Sequence, residues 1–171
     1  MGYKAFRRIC RGRDVFRLSC HANSSIGVDG ITSILRGWQR EKWIPDVVVI
    51  DYADILAPPF MVRESLDQID VTWKLLRRMS QEFECLLLTA TQSNAASYRA
   101  KDSVLTRQNF SGRKTKLAHV SGMLGINVTP DDKKKGIIRL NWVVRREGFF
   151  NEIQCVPVAG CFAICSPTMR S

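Results

Sequence analysis

Between Pro45 and Leu56 the chain reads PDVVVIDYADIL, and this stretch limits its folding choices more than any other. Four consecutive β-branched residues, Val47 to Ile50, form an apolar run without alternation. Such a run suits a short strand buried on both faces of a parallel sheet. The run ends abruptly at Asp51, which puts a carboxylate where a buried strand emerges at its carboxyl end. In open α/β sheets ligands gather along that edge. Two readings of Asp51 follow from the residues alone. It holds a nucleotide's magnesium ion, directly or through water, in the Walker B manner. Alternatively, it ends a buried strand and caps the element that follows.

The flanking sequence extends the α/β pattern. Val15 to Cys20 reads as a first strand, followed by the turn-rich HANSSIGVDG, in which Asp29 is placed to cap a helix. Ile31, Ile34, Leu35 and Trp38 share one face of that helix, and Pro45 separates it from the next strand. Strand, helix and strand here make a βαβ unit. Pro58–Pro59 marks a loop. A longer helix is expected from about Ser65 to Phe83, with Leu66, Ile69, Trp73, Leu76 and Met79 inward and Ser65 with Gln68 as a capping box. Cys85 to Thr89 is the next strand, and it runs into TATQSN. Met123 to Val128, Ile137 to Arg145 and Phe149 to Val158 complete a strand-rich second half, with Phe162 to Cys165 as a further short candidate. DDKKKG reads as a charged, solvated turn, and Arg146–Glu147–Gly148 as the turn between the last two long strands.

Charge narrows the choice of partners. The 26 Lys and Arg residues exceed the 16 Asp and Glu residues to give a net charge of +10. The excess lies in two segments. Residues 1–17 carry Lys4, Arg7, Arg8, Arg11, Arg13 and Arg17 against Asp14; residues 99–116 carry Arg99, Lys101, Arg107, Arg113, Lys114 and Lys116 against Asp102. Two basic segments on a neutral body suit a polyanion, because phosphate contacts dominate nucleic-acid affinity. A solvated basic surface is the plainer reading. Ala95 to Leu117 has little apolar periodicity and is long for a simple connector, which points to a functional or mobile segment. The six cysteines form no C-x-x-C pair, and Cys10, Cys20 and His21 lack a fourth ligand at usable spacing. No apolar run reaches the length of a membrane span, and the basic N-terminus has no signal-like apolar region, so a cytoplasmic location is expected.

Three strand-end sites now fall in series: Asp51, Gln92 and the Arg145–Arg146 turn. VVVIDYADIL, LLLTATQSN and VVRREG, with SSIGVDGITSIL ahead of them, resemble the C-terminal ATPase domain of DnaB-type replicative helicases, in the RecA-like superfamily. The resemblance runs from about Val15 to Val158 and treats residues 1–171 as a single partial domain. It implies a RecA-like, mainly parallel sheet flanked by helices, with a C-terminal antiparallel hairpin. By the resemblance, ATP and Mg2+ are the cofactors and Asp51 serves the magnesium ion through water. Tyr52 and Gln92 then face the nucleotide, with Gln92 sensing the γ-phosphate, and Arg146 acts as an arginine finger toward a neighbouring subunit. Single-stranded DNA would meet Arg63, Arg99, Lys101, Arg107, Arg113, Lys114 and Lys116, and the partner would be a second copy of the chain in a hexameric ring.

The sequence departs from that pattern in three ways. Ala95 stands where the family often has Arg, and Val144 where a Lys is common. No G-x-x-x-x-G-K-[ST] segment occurs, and Ser111 to Thr115 (SGRKT) is a decoy with Arg113 at the glycine position. The family's catalytic Glu would fall upstream of Met1. The chain therefore reads as the part of such a domain that follows the phosphate loop, whether a gene fragment, a phage remnant or a separately encoded piece. Its phosphate-loop strand would be missing from inside the sheet, and alone it is expected to be inactive. Two other readings remain: a non-catalytic module for single-stranded nucleic acid, and a fragment of a recombinase-type ATPase.

Overall fold

The computed structural model describes residues 11, 13–59, 65–93, 104–110 and 115–159, with backbone only at 65–67 and 115. Helix α1, Val28–Arg40, turns Val28 and Leu35 inward. Its amino end follows an extended Gly27 and has no side-chain cap. Asp29 lies in the first turn instead, where its charge favours the helix dipole without the expected capping bond. Strand β1, Val47–Ile50, pairs in parallel with β2, Leu86–Thr89, in the register Val47↔Leu86 to Ile50↔Thr89. Helix α2, Ser65–Glu82, connects the two, so the βαβ unit of this fold is β1–α2–β2. Its predicted capping box involves side chains outside those described.

Val15 to Cys20, expected as a strand, joins no ladder among the described residues. Its side chains explain why. The Arg17 guanidinium sits 5.7 Å from the ring centre of Trp38 and 5.1 Å from that of Trp43, and it pairs with Asp14 and Glu41. The Trp43 indole also donates to the Asp14 carbonyl at 2.6 Å. Those contacts hold the segment near Trp38 and Trp43, and Val15, Phe16 and Leu18 stay exposed.

The core lies between the helices and one face of β1–β2. Trp73, Leu76, Met79 and Phe83 of the α2 region meet Val28, Leu35, Ile50, Ala53 and Cys85. Each such side chain contributes on the order of 1.5–3 kcal/mol when fully buried. The opposite face is open: Val47, Val49, Leu86 and Leu88 are exposed, Val49 by 70%. That differs from the two-sided burial expected of the apolar run.

A second sheet has the order β3–β4–β5, all antiparallel, from Gly122–Asn127, Ile137–Arg145 and Val156–Ala159. The long strand from Phe149 is not formed: Phe149 is fully exposed, Gly148 turns with φ +78°, and pairing with β4 begins only at Val156. Residues 162–165, a further strand candidate, lie outside the described residues. DDKKKG is a short helix rather than an open turn. It forms α4, Pro130–Lys135, closed by a Thr129–Asp132 capping box and by Gly136 in the left-handed region at φ 64°. On the inner face of this sheet, Asn127 Nδ2 donates to Asn141 Oδ1 at 2.8 Å, Leu105 N donates to Asn127 Oδ1, and Asn141 Nδ2 donates to the carbonyls of Leu105 and Glu152. This buried amide pair fastens the segment around residue 105 to the sheet.

Candidate functional site

Parallel pairing brings the ends of β1 and β2 side by side, and the candidate site is built there. Thr89 closes the junction: its hydroxyl donates to the Ile50 carbonyl and accepts from Ala53 N, both at 2.9 Å. The chain then leaves β1 through Asp51 and Tyr52 into a 3-10 turn, Ala53–Ile55. Asp51 is exposed and makes no hydrogen bond or ion pair among the described residues. Gln92 follows β2, and its side-chain amide comes 3.5 Å from the Tyr52 hydroxyl, a weak hydrogen bond. Asp51, Tyr52 and Gln92, separated by some forty residues of sequence, therefore share one edge.

Beneath them lies a charged cluster that sequence reasoning missed. Asp54 accepts from Thr91 Oγ1 at 2.7 Å and, more weakly, from Gln92 N at 3.4 Å through Oδ2. Its Oδ1 accepts from Lys116 Nζ at 2.5 Å. Lys116 also donates to Thr91 Oγ1 at 2.7 Å and lies 5.6 Å from the centre of the Trp73 ring. The lysine side chain is completely buried and that of Asp54 is 16% exposed. Burial pushes the Asp54 carboxyl upward, but hydrogen bonds from Lys116 and Thr91 and the Lys116 charge outweigh it and hold the group below the usual carboxylate range. The only hint in sequence was a second carboxylate three residues after Asp51, inside DYAD.

Lys116 stands on helix α3, Thr115–His119. The same helix is fixed to α2 by His119 Nε2 and Asp70 Oδ1 at 2.8 Å. Hydrogen bonds from Lys74 and His119 hold Asp70 low. A fully buried ammonium cannot reach a strand lying on the surface, so the expectation that Lys116 contacts DNA is corrected: its charge is taken up inside the protein.

Arg146 lies at the far end of β4. Its Nε donates to the Val120 carbonyl at 2.8 Å and its Nη2 to the Ala118 carbonyl. The guanidinium is thus fixed just after α3, away from the contacts that join Gln92 to Tyr52. Arg107 is engaged locally: its Nε donates to the Val143 carbonyl at 3.2 Å, its backbone N meets Glu152, and it lies over the Phe150 ring. Arg63, Arg99, Lys101, Arg113 and Lys114 lie outside the described residues.

The donor set fits part of a magnesium–nucleotide site. One exposed carboxylate, Asp51, is a hard oxygen ligand suited to Mg2+ that keeps its water. Asp54 is occupied by Lys116 and Thr91. Among the described residues no group of three His, Cys, Asp or Glu side chains could hold a metal. No described helix is long and apolar enough to cross a membrane.

Comparison with known proteins rests on structure alone. No protein-family model matches the chain, and no curated protein matches it in sequence. The solved ATPase domain of one DnaB-like helicase is similar over 78% of this chain and 48% of that one, with 18% identity and a TM-score of 0.68. A DnaB-like replicative helicase, solved in work on its interactions with primase, is similar over 78% of this chain and 33% of that one, with 18% identity and a TM-score of 0.67. The chain has the α/β fold of these RecA-like helicase ATPase domains and spans from a third to about half of their length.

Proposed function

We propose that the chain is the part of a DnaB-like helicase ATPase domain that follows the phosphate loop, working in ATP-driven translocation on single-stranded DNA within a ring of like subunits. The observation that carries this reading is the meeting of Asp51, Tyr52 and Gln92 at the ends of two paired parallel strands. Asp51 would hold the magnesium ion through water, and the ion supplies charge neutralisation at the phosphates when bound. Gln92, beside Tyr52, is placed to sense whether a phosphate is present. Arg146 is the proposed finger. Two backbone carbonyls fix Nε and Nη2, so an exposed guanidinium is held in one orientation with Nη1 left to face an anion. Arg63, Arg99, Lys101, Arg107, Arg113 and Lys114 are the proposed single-strand contacts.

Phosphates also need a cradle of backbone amides and a lysine, which these residues do not contain, and we assign it to polypeptide outside the 171 residues. The 171-residue chain alone is therefore expected to turn over no ATP. Joined to a phosphate-loop segment it should hydrolyse ATP, and Asp51→Ala should abolish that turnover while leaving the fold intact. Turnover at about 1 per second or faster by the chain alone, lost in Asp51→Ala, would overturn the division of labour. Turnover of the joined chain that survives Asp51→Ala would overturn the assignment of Asp51.

A further inference from the structure

The two flanks of the basic segment return to one carboxylate. Thr91 and Lys116 are 25 residues apart in sequence, yet both donate to Asp54, and Lys116 donates to Thr91 as well. The directions close without conflict. The ammonium gives one proton to the Thr91 oxygen and another to Asp54, and the Thr91 hydroxyl gives its own proton to the other Asp54 oxygen. Trp73 covers the ammonium from the side of α2. Gln92 is the residue immediately after Thr91, and its backbone N points at the same carboxylate.

We propose that Asp54 is a positioning residue: with Thr91 and the buried Lys116 it forms a junction that sets Gln92 against Tyr52 and ties that setting to both ends of the basic segment. Binding of a polyanion by the segment and the placement of Gln92 are then linked through Lys116. The link to nucleic acid rests on the function proposed above; the setting of Gln92 does not. A buried ion pair is suited to this work because it tolerates little drift. Moving Lys116 away leaves Asp54 a half-buried, unpaired charge, which the protein resists more strongly than the removal of an apolar neighbour.

The test uses the intact chain. Asp54→Asn removes the charge with little change of shape, and Asp54→Leu/Lys116→Met removes both charges while refilling the space with apolar atoms. The double variant keeps the measurement open where the single one does not fold. The first readout is hydrogen exchange at the Gln92 backbone amide. Exchange about tenfold faster in either variant, with the amides of β1 unchanged, is expected of a local loosening. Unchanged exchange at Gln92 overturns the positioning role. The second readout is binding of a labelled oligothymidylate by Lys116→Met at several salt concentrations. Several-fold weaker binding with an unchanged log-affinity against log-salt slope is expected. A slope reduced by about 0.7 would make Lys116 itself a phosphate contact, and unchanged affinity would break the link; either result overturns it. If the unaltered chain binds no oligothymidylate, the nucleic-acid reading and the link built on it fall together, while the exchange experiment decides the setting of Gln92 separately.

Discussion

Lys116 Nζ lies 2.5 Å from Asp54 Oδ1, and the lysine side chain is wholly buried. In a chain with a net charge of +10, this cation serves the interior. Breaking such a pair costs more than removing it altogether. Asp54→Ala should destabilise the chain by about 3 kcal/mol, whereas Asp54→Leu/Lys116→Met should recover most of that loss. Chemical denaturation of the three proteins side by side is the check, and equal losses in both variants would contradict it.

The same pair predicts an acid response. Asp54 is held below its unfolded value of about 3.9, so near that pH the unfolded chain binds more protons than the folded one. Its contribution is therefore complete above the unfolded value and disappears as pH falls through the lower folded value. The wild-type denaturation midpoint should drop more steeply below about pH 4 than that of Asp54→Leu/Lys116→Met. Parallel acid profiles would assign the acid sensitivity to other carboxylates.

Gly125 leaves room for the amide pair behind β3. A Cβ there would fall well inside the contact distance of Asn141 Oδ1 and only 3.1 Å from Leu105 Cβ. Gly125→Ala is expected to cost about 1–3 kcal/mol, the usual range for overpacking. It should also expose the amide of Leu105, which now donates to Asn127. A thermal midpoint equal to wild type would mean that the sheet yields at this point.

Arg146 carries two separable expectations. Losing its bonds to Val120 and Ala118 should cost the fold roughly 1–2 kcal/mol. In a chain completed with a phosphate loop, Arg146→Ala should abolish turnover, and Arg146→Lys should not restore it, since lysine lacks the planar fork. Mixing Arg146→Ala with Asp51→Ala subunits should recover part of the activity, because each would supply what its neighbour lacks. Mixed assemblies no better than either parent would reduce Arg146 to its structural bonds.

For nucleic acid, the combined change Arg99/Lys101/Arg113/Lys114→Ala should weaken oligothymidylate binding. The salt slope should fall by about 0.7 for every phosphate no longer neutralised. Removal of residues 1–13 should do neither. The reverse outcome would move the interface to the amino-terminal basic segment.

The apolar run Val47 to Ile50, the helical spacing from Leu66 to Met79 and the strand from Ile137 to Arg145 were legible because local periodicity alone decides those elements. The order of Asp51, Gln92 and Arg146 along the chain was legible too, since each follows directly on a strand. Tertiary structure decided the rest. Val15 to Cys20 has strand-forming residues, but Arg17 finds two tryptophans and two carboxylates, and no local pattern encodes that competition. DDKKKG became a helix because Thr129 and Asp132 cap each other and Gly136 accepts the left-handed turn. Above all, sequence treats Lys116 as one more basic residue beside Arg113 and Lys114. Only folding brings it under Asp54, where the low-dielectric interior beside Trp73 turns a surface charge into a structural one.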